Sequence, residues 1–162
     1  MPDIERFDAL FLGGGAAAKN FAPYLARGRE RTAVVERRWI GGSCPNVNCL
    51  PTKNEIWSAK IIDLARHGSQ FGVTSGPISI DMHRVRQRKQ EMVDGFVELY
   101  GGNYQAAGAE LLMGAGCFIG PKTIEVRLND GSVRILRGEK VFINRRSSPF
   151  VRSMPCAKPT RK

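Results

Sequence analysis

A chain of 162 residues, 42% hydrophobic and 25% charged, is long enough for one domain with a sizeable core and has an ordinary water-soluble composition. No uncharged apolar run reaches the roughly 18 residues of a membrane-spanning helix, and the opening MPDIERFDALFLGGG lacks the basic stretch and apolar core of a secretory signal, so no membrane partner and a cytoplasmic location are expected. The net charge of +10 points first to nucleic acid, yet six basic residues (Arg145, Arg146, Arg152, Lys158, Arg161, Lys162) and no acidic one follow residue 144; taking six from ten leaves four for residues 1–144.

From the amino end, FDALFL reads as a buried strand over 7–12, the glycines 13–15 as a turn, and AAAKNFAPYLAR as a helix over 16–27 stopped by Gly28. RTAVVE then reads as a second buried strand. Strand, helix, strand in that order calls for a parallel sheet with a right-handed crossover. Pro23 predicts a kink or a late start in the first helix. PTKNEIWSAKIIDLARHG predicts a helix over 51–68, with Ile56, Ala59, Ile61 or Ile62, and Leu64 at helical spacing. FGVTSGPISID reads as a loop with extended pieces, Asp81 as the cap of a basic helix running to about Tyr100, and GGN as its break. AELLMG, GCFIG, TIEVRL, SVRILR and KVFIN are short extended runs. Asn129-Asp130-Gly131 is a tight-hairpin signal within an antiparallel meander.

The basic helix also carries Glu91, Asp94 and Glu98 and so reads as a solvated face. The expected organisation is one α/β domain over 1–144, Rossmann-like, with a parallel sheet and a small antiparallel β-meander. A basic tail over 145–162, without hydrophobic period, reads as disordered.

Gly13-Gly14-Gly15-Ala16-Ala17-Ala18 follows a strand and opens a helix, and fits GxGxx(G/A) with Gly13, Gly15 and Ala18 in the key places. Gly13 permits a sharp turn, Gly15 lets backbone approach a pyrophosphate, and Ala18 lets the helix lie close on the strand. Free N–H groups at the helix start then face phosphate. Glu36, ending the second strand, stands where an acid accepts hydrogen bonds from an adenosine ribose. These residues alone leave NAD and FAD both open, and a Gly-rich turn that binds nothing is the structural alternative.

The stretch GGSCPNVNCLPTK places Cys44 and Cys49 five positions apart, wider than zinc or thioredoxin-like pairs, with Cys117 and Cys156 too remote to complete an obvious ligand set. No metal site is assigned. Five helical steps advance roughly 7.5 Å, too far for a disulfide, whereas Pro45, Asn46 and Asn48 suit an irregular turn that brings sulfurs together. Pro51 fits the first turn of a helix, which puts Cys49 at or just before its positive end, with Lys53 a turn further on the same side. Both features favour a thiolate at Cys49. Cys44, outside the helix, is the better placed to exchange with an external disulfide. Two unconnected buried cysteines are the alternative.

This segment resembles the redox-active motif GG(T/S)CxNxGCxPxK of the class I pyridine nucleotide–disulfide oxidoreductases, the family of glutathione reductase, dihydrolipoamide dehydrogenase and mercuric reductase. Its distance behind Glu36 matches the family, and GCFIGPKTIEV resembles the family segment after the long helix. The resemblance covers residues 7–144, with Asn48 standing where the family has glycine. It implies that the turn at Gly13, Gly15 and Ala18 holds FAD with Glu36, Gly42 and Ser43, that Cys44 is the interchange thiol, and that Cys49 contacts the flavin. Lys53 would lie near the flavin ring. The implied function is relay of electrons from NAD(P)H through FAD to a Cys44–Cys49 disulfide, and on to a thiol, disulfide or metal-ion substrate, in a homodimer serving cell redox homeostasis.

After KVFIN the family pattern stops. Arg145-Arg146-Ser147-Ser148-Pro149 stands where a small-residue turn toward the NAD(P)H domain is expected, which predicts a frameshifted or truncated product. The resemblance then implies absence of the NAD(P)H domain, the remainder of the FAD domain, and the interface domain with its His–Glu pair. His67 and His83 do not match that pair. Two further readings stand beside the leading one: a truncated flavin-binding remnant without turnover, and a basic nucleic-acid-binding protein, against which the mixed charge of the helix and the lack of an aromatic-rich stretch both argue.

Overall fold

The apolar strand and Gly-punctuated pattern at the amino end organise the whole molecule, as the computed structural model, which describes residues 3–144, makes plain. Strand β1 (Ile4–Leu12) leads through the glycine turn into α1 (Ala16–Arg27), and β2 (Thr32–Glu36) returns parallel to β1, pairing Leu10 with Ala33 and Leu12 with Val35. Next come a four-residue helix α2 (Ser43–Asn46), α3 (Cys49–Arg66), a 3₁₀ turn over Gly68–Phe71, and the long α4 (Met82–Ala107). Three strands, β3 (Glu110–Gly120), β4 (Thr123–Leu128) and β5 (Val133–Ile143), complete the chain.

The parallel order is β5, β1, β2, β3, and β4 lies antiparallel between β3 and β5, closing the sheet into a small barrel. Closure is possible because β3 and β5 are long. Strand β3 pairs with β2 over residues 110–113 and with β4 over 114–120, whereas β5 pairs with β4 over 133–137 and with β1 over 135–143, so its residues 135–137 bridge both neighbours. The five extended runs expected from sequence are therefore three strands: AELLMG and GCFIG form β3, and SVRILR and KVFIN form β5. The expected hairpin is present, with Gly131 at φ 89° and its N–H donating to Leu128 O at 3.0 Å.

Alternation along the strands makes two cores. Leu10, Ala33, Val35, Leu112, Ile124, Val126 and Leu136 fill the barrel interior. Ala9, Phe11 and Val34 face outward onto Ala18, Ala22 and Leu25 of α1 and Tyr104 of α4. Strand β2 is covered on both faces, as its unbroken run TAVV requires.

Three local expectations are corrected. Helix α1 starts at Ala16 and runs through the buried Pro23, so the late start that Pro23 allowed for does not occur. Helix α4 passes Gly101-Gly102 and ends only at Gly108, in the left-handed conformation; burial of Tyr104 and Ala107 outweighs a glycine cost of about 1 kcal/mol each. Helix α3 begins at Cys49 rather than Pro51, and Ile56, Ile61 and Leu64, which recur along it at helical spacing, are exposed. The basic tail over 145–162 lies outside the described residues. Among the described residues no helix is long and apolar enough to cross a membrane.

Candidate functional site

The site is built where β1, β2 and β5 end together. Gly13 has φ 107° and its N–H donates to Val35 O at 2.8 Å, so the chain turns away from β1 in a conformation that only glycine adopts without strain. Gly15 caps α1 with its backbone, no side chain caps the helix, and its first turn holds no acidic residue. Its leading N–H groups are thus left for an anion. Ala18 is fully buried against the strands, as the close helix packing expected of it demands.

Glu36 closes the other side of this turn. Its Oε2 accepts from Gly14 N at 2.6 Å, and its Oε1 accepts from Arg38 N at 2.7 Å and Trp39 N at 2.9 Å. Three backbone donors therefore fix the carboxylate at the strand end, and a carboxylate has lone-pair capacity beyond these three bonds.

Asn144, at the end of β5, is a site residue that the sequence reading did not single out. Its N–H donates to Leu12 O at 2.9 Å, and a Cβ on Gly15 would meet its Nδ2 at 2.9 Å. That Nδ2 is buried without a hydrogen-bond partner among the described residues. The signal for it was positional: it immediately follows the strand that runs beside β1.

The cysteine segment is seated on this turn by glycines. Gly41 has φ 83° and Gly42 φ 81°. A Cβ on Gly41 would lie 2.5 Å from the Tyr100 ring, and one on Gly42 would lie 2.8 Å from Gly15 Cα. The reversal is made by these two glycines, whereas Asn46 and Asn48, read as suited to an irregular turn, have no positive φ. Asn46 works as a clamp, its Nδ2 donating to Ile40 O at 2.9 Å and Gly42 O at 2.7 Å. Asn48 has φ −119°, so the residue in the family's glycine place carries no positive-φ strain. Cys44, expected in an irregular turn, lies in the helical turn α2 behind half-buried Ser43, whose carbonyl accepts from Val47 N and Asn48 N, each at 3.0 Å.

Cys49 is the first residue of α3 and exposed, Cys44 is half-buried, and both are free thiols. A hydrogen bond with Cys49, then burial, then the charge of Cys49 push the Cys44 thiol up from its ordinary value, while Lys19 and Lys53 pull it down. The two sulfurs are thus neighbours, and Cys44 holds its proton more firmly than an ordinary thiol does. Exposed Lys53 sits one turn along α3 from Cys49. Gly13, Gly15, Ala18, Glu36, Gly42, Ser43, Cys44, Cys49 and Lys53 accordingly fall on connected elements at one end of the sheet.

Arg84, Arg88 and Lys89 of α4 are engaged locally. Arg88 donates to Asn54 O and Ser58 Oγ, each at 2.7 Å, Lys89 pairs with Glu55 at 3.2 Å, and Arg84 with Glu91 at 3.6 Å. Such mixing leaves no uniform cationic face for a nucleic-acid backbone.

No family model matches the chain. It is 32% identical over 121 residues to a dihydrolipoyl dehydrogenase of Mycoplasma pneumoniae, covering 74% of this chain and 26% of that protein. It is 31% identical over 146 residues to a dihydrolipoyl dehydrogenase of Chlorobaculum tepidum, covering 90% of this chain and 31% of the relative. Among solved structures it resembles the HOCl-induced flavoprotein disulfide reductase RclA from Escherichia coli, solved as a Cu(II) complex, with a TM-score of 0.68 and 25% identity over 90% of this chain and 31% of that one. The chain thus spans under a third of the length of these relatives.

Proposed function

This chain belongs to the class I pyridine nucleotide–disulfide oxidoreductases, and from that premise we propose that it is a flavin-binding, redox-dithiol portion of such an enzyme. One observation carries the reading: Gly42 packs on Gly15 without room for a side chain, which ties the cysteine loop to the dinucleotide turn. A nucleotide held at the turn would therefore lie beside the sulfurs.

The residues fit FAD. The uncapped start of α1 suits a pyrophosphate, Glu36 has acceptor capacity for ribose hydroxyls, and the orphaned Asn144 amide offers a buried donor next to Gly15. Gly42, Ser43 and Lys53 complete the proposed cofactor set. FAD, when bound, supplies two-electron transfer between a nicotinamide and the sulfurs.

The chain's own chemistry is thiol–disulfide exchange. Cys44 loses its proton, and its thiolate attacks a sulfur of the substrate disulfide. A mixed disulfide forms and the first substrate thiolate leaves. Cys49 then attacks the Cys44 sulfur, which closes a Cys44–Cys49 disulfide and releases the second thiolate. The substrate gains two electrons and, on its two leaving sulfurs, the two protons of the thiols; the cysteine pair loses both. Lys53 would add positive charge beside α3's first turn while charge moves between the sulfurs. NAD(P)H as the electron source, a thiol, disulfide or metal ion as substrate, a homodimeric partner and a cytoplasmic location belong to the same proposal. The exposed Ile56, Trp57, Ile61 and Leu64 on α3 offer apolar surface for such a partner.

Gentle purification followed by absorbance and release of bound flavin tests the cofactor. Mild oxidation followed by peptide mass spectrometry tests the 44–49 crosslink. Retained FAD and a crosslink lost in Cys49→Ser are expected; a colourless chain that forms no such crosslink would refute the proposal.

A further inference from the structure

Lys19 occupies a place that a cation ordinarily avoids. It lies in the first turn of α1, at the partially positive end of the helix, where acidic groups are favoured. Among the described residues no ion pair includes it. Its Nζ instead donates to Tyr100 Oη at 3.1 Å and stands 4.5 Å from the centre of the Tyr100 ring. Tyr100 is itself braced. Phe96 stacks on it with ring centres 5.9 Å apart, and Gly41 meets its edge so closely that a Cβ there would come within 2.5 Å.

These contacts form a closed circuit. Lys19 touches Tyr100, Tyr100 touches Gly41, Gly42 touches Gly15, and Gly15 opens the helix that carries Lys19. The circuit thereby fixes Gly41 and Gly42, the residues that lead into α2, and Cys44 follows two residues after Gly42. The charged and titratable groups that act on its sulfur are Cys49 and Lys53 from α3 and Lys19 from α1, and Tyr100 of α4 packs on Gly41 in the segment that leads to it. Cys49 and burial hold the thiol up, and Lys19 is the larger of the two opposing cations.

We propose that Lys19, aimed by Tyr100, is a positioning cation for Cys44, placed to hold that sulfur as the attacking thiolate in disulfide exchange. Lys19 transfers no proton and forms no bond with substrate; its charge favours one protonation state of its neighbour. This assignment rests on the reading of Cys44 as the interchange sulfur, but its test measures Cys44 directly.

The whole chain in a Cys49→Ser background is alkylated with iodoacetamide over a range of pH, and modification of the Cys44 peptide is followed by mass spectrometry. Lys19→Met is expected to slow Cys44 alkylation about three- to ten-fold at neutral pH and move its pH profile upward. Lys19→Arg should stay within roughly two-fold of the parent, because the charge is kept. Tyr100→Phe, which removes the hydroxyl and keeps the ring, should fall between them. Lys53→Met should have a smaller effect than Lys19→Met. An unchanged profile in Lys19→Met, or a larger effect of Lys53→Met, overturns the assignment. So does faster alkylation in Lys19→Met, which would mark a loosened loop and a structural role alone. Failure to bind flavin or to form the 44–49 crosslink leaves these rates unaffected, so the two proposals fail separately.

Discussion

Gly42 and Gly15 meet backbone to backbone: a Cβ on Gly42 would sit 2.8 Å from Gly15 Cα, at a φ of 81°. Neither problem has a flexible side chain to absorb it. Gly42→Ala is predicted to lose about 2–4 kcal/mol of stability, combining a conformation reserved for glycine with a clash against main chain. Gly102→Ala is the contrast, since Gly102 is helical and has nothing within 4 Å of a built Cβ; there a gain of about 1 kcal/mol is expected. Urea denaturation of both variants checks the pair, with opposite shifts of midpoint as the expected outcome.

Glu36 supports the glycine turn from the opposite side, through its 2.6 Å bond from Gly14 N. Glu36→Gln keeps the shape but removes the charge that strengthens this bond and any bond from a ribose hydroxyl. Charge-assisted hydrogen bonds are worth about 1.5–3 kcal/mol, so flavin affinity is predicted to fall about 10- to 100-fold. Fluorescence titration of the flavin-free chain with FAD measures this; equal affinity in the variant would remove Glu36 from the cofactor site.

What the sequence made legible was what contiguous residues decide. The order of β1, glycine turn, α1, β2 and Glu36 follows from periodicity and one Gly-rich stretch, and the hairpin at Gly131 follows from its turn residues. What it concealed depends on distant partners. Helix α4 continues past Gly101-Gly102 because Tyr104 packs on α1 and the sheet, contacts that no local window contains. The cysteine loop reverses at Gly41 and Gly42 rather than at the asparagines because Tyr100 and Gly15 crowd those two positions. Asn144 stood at the end of an unremarkable strand, and only the pairing of β5 with β1 carries it to Gly15.

The same distance hides the ion triad that helps close the barrel. Arg134 on β5 donates to both carboxylate oxygens of Glu5 on β1, by Nε at 2.7 Å and by Nη2, and its Nη1 donates to Glu110 on β3 at 2.7 Å. The hydrogen bond from Arg134 holds the Glu5 carboxyl below its ordinary value of 4.5. A group with a depressed folded value stabilises the fold above its unfolded value, and that contribution is lost as pH falls through the folded one. Glu5→Gln is therefore predicted to cost about 1 kcal/mol at neutral pH in low salt, less in high salt, and progressively nothing as pH drops below 4.5. Thermal melts of both proteins across acidic pH should converge; a constant gap would mean that the interaction does not depend on the Glu5 charge.

Tyr104 presents the reverse situation, a polar group whose removal should help. It is 1% exposed, its ring lies among Phe11, Ala18, Ala22, Leu25 and Val34, and its hydroxyl is buried with no hydrogen-bond partner among the described residues. Burial, and secondarily the charge of Glu36, hold the phenol far above its ordinary value of 10.0, so it stays neutral. An unpaired hydroxyl in such a place costs about 1–3 kcal/mol, while the ring supplies the packing. Tyr104→Phe keeps the ring and is predicted to stabilise the chain by about 1 kcal/mol, by the same amount at neutral and mildly alkaline pH because no proton is gained or lost. Tyr104→Ala, which empties the space under α1, should instead cost about 3–5 kcal/mol. Urea unfolding of the two variants decides it: destabilisation by Phe would show that the hydroxyl is bonded in solution and that the burial cost assigned to it is absent.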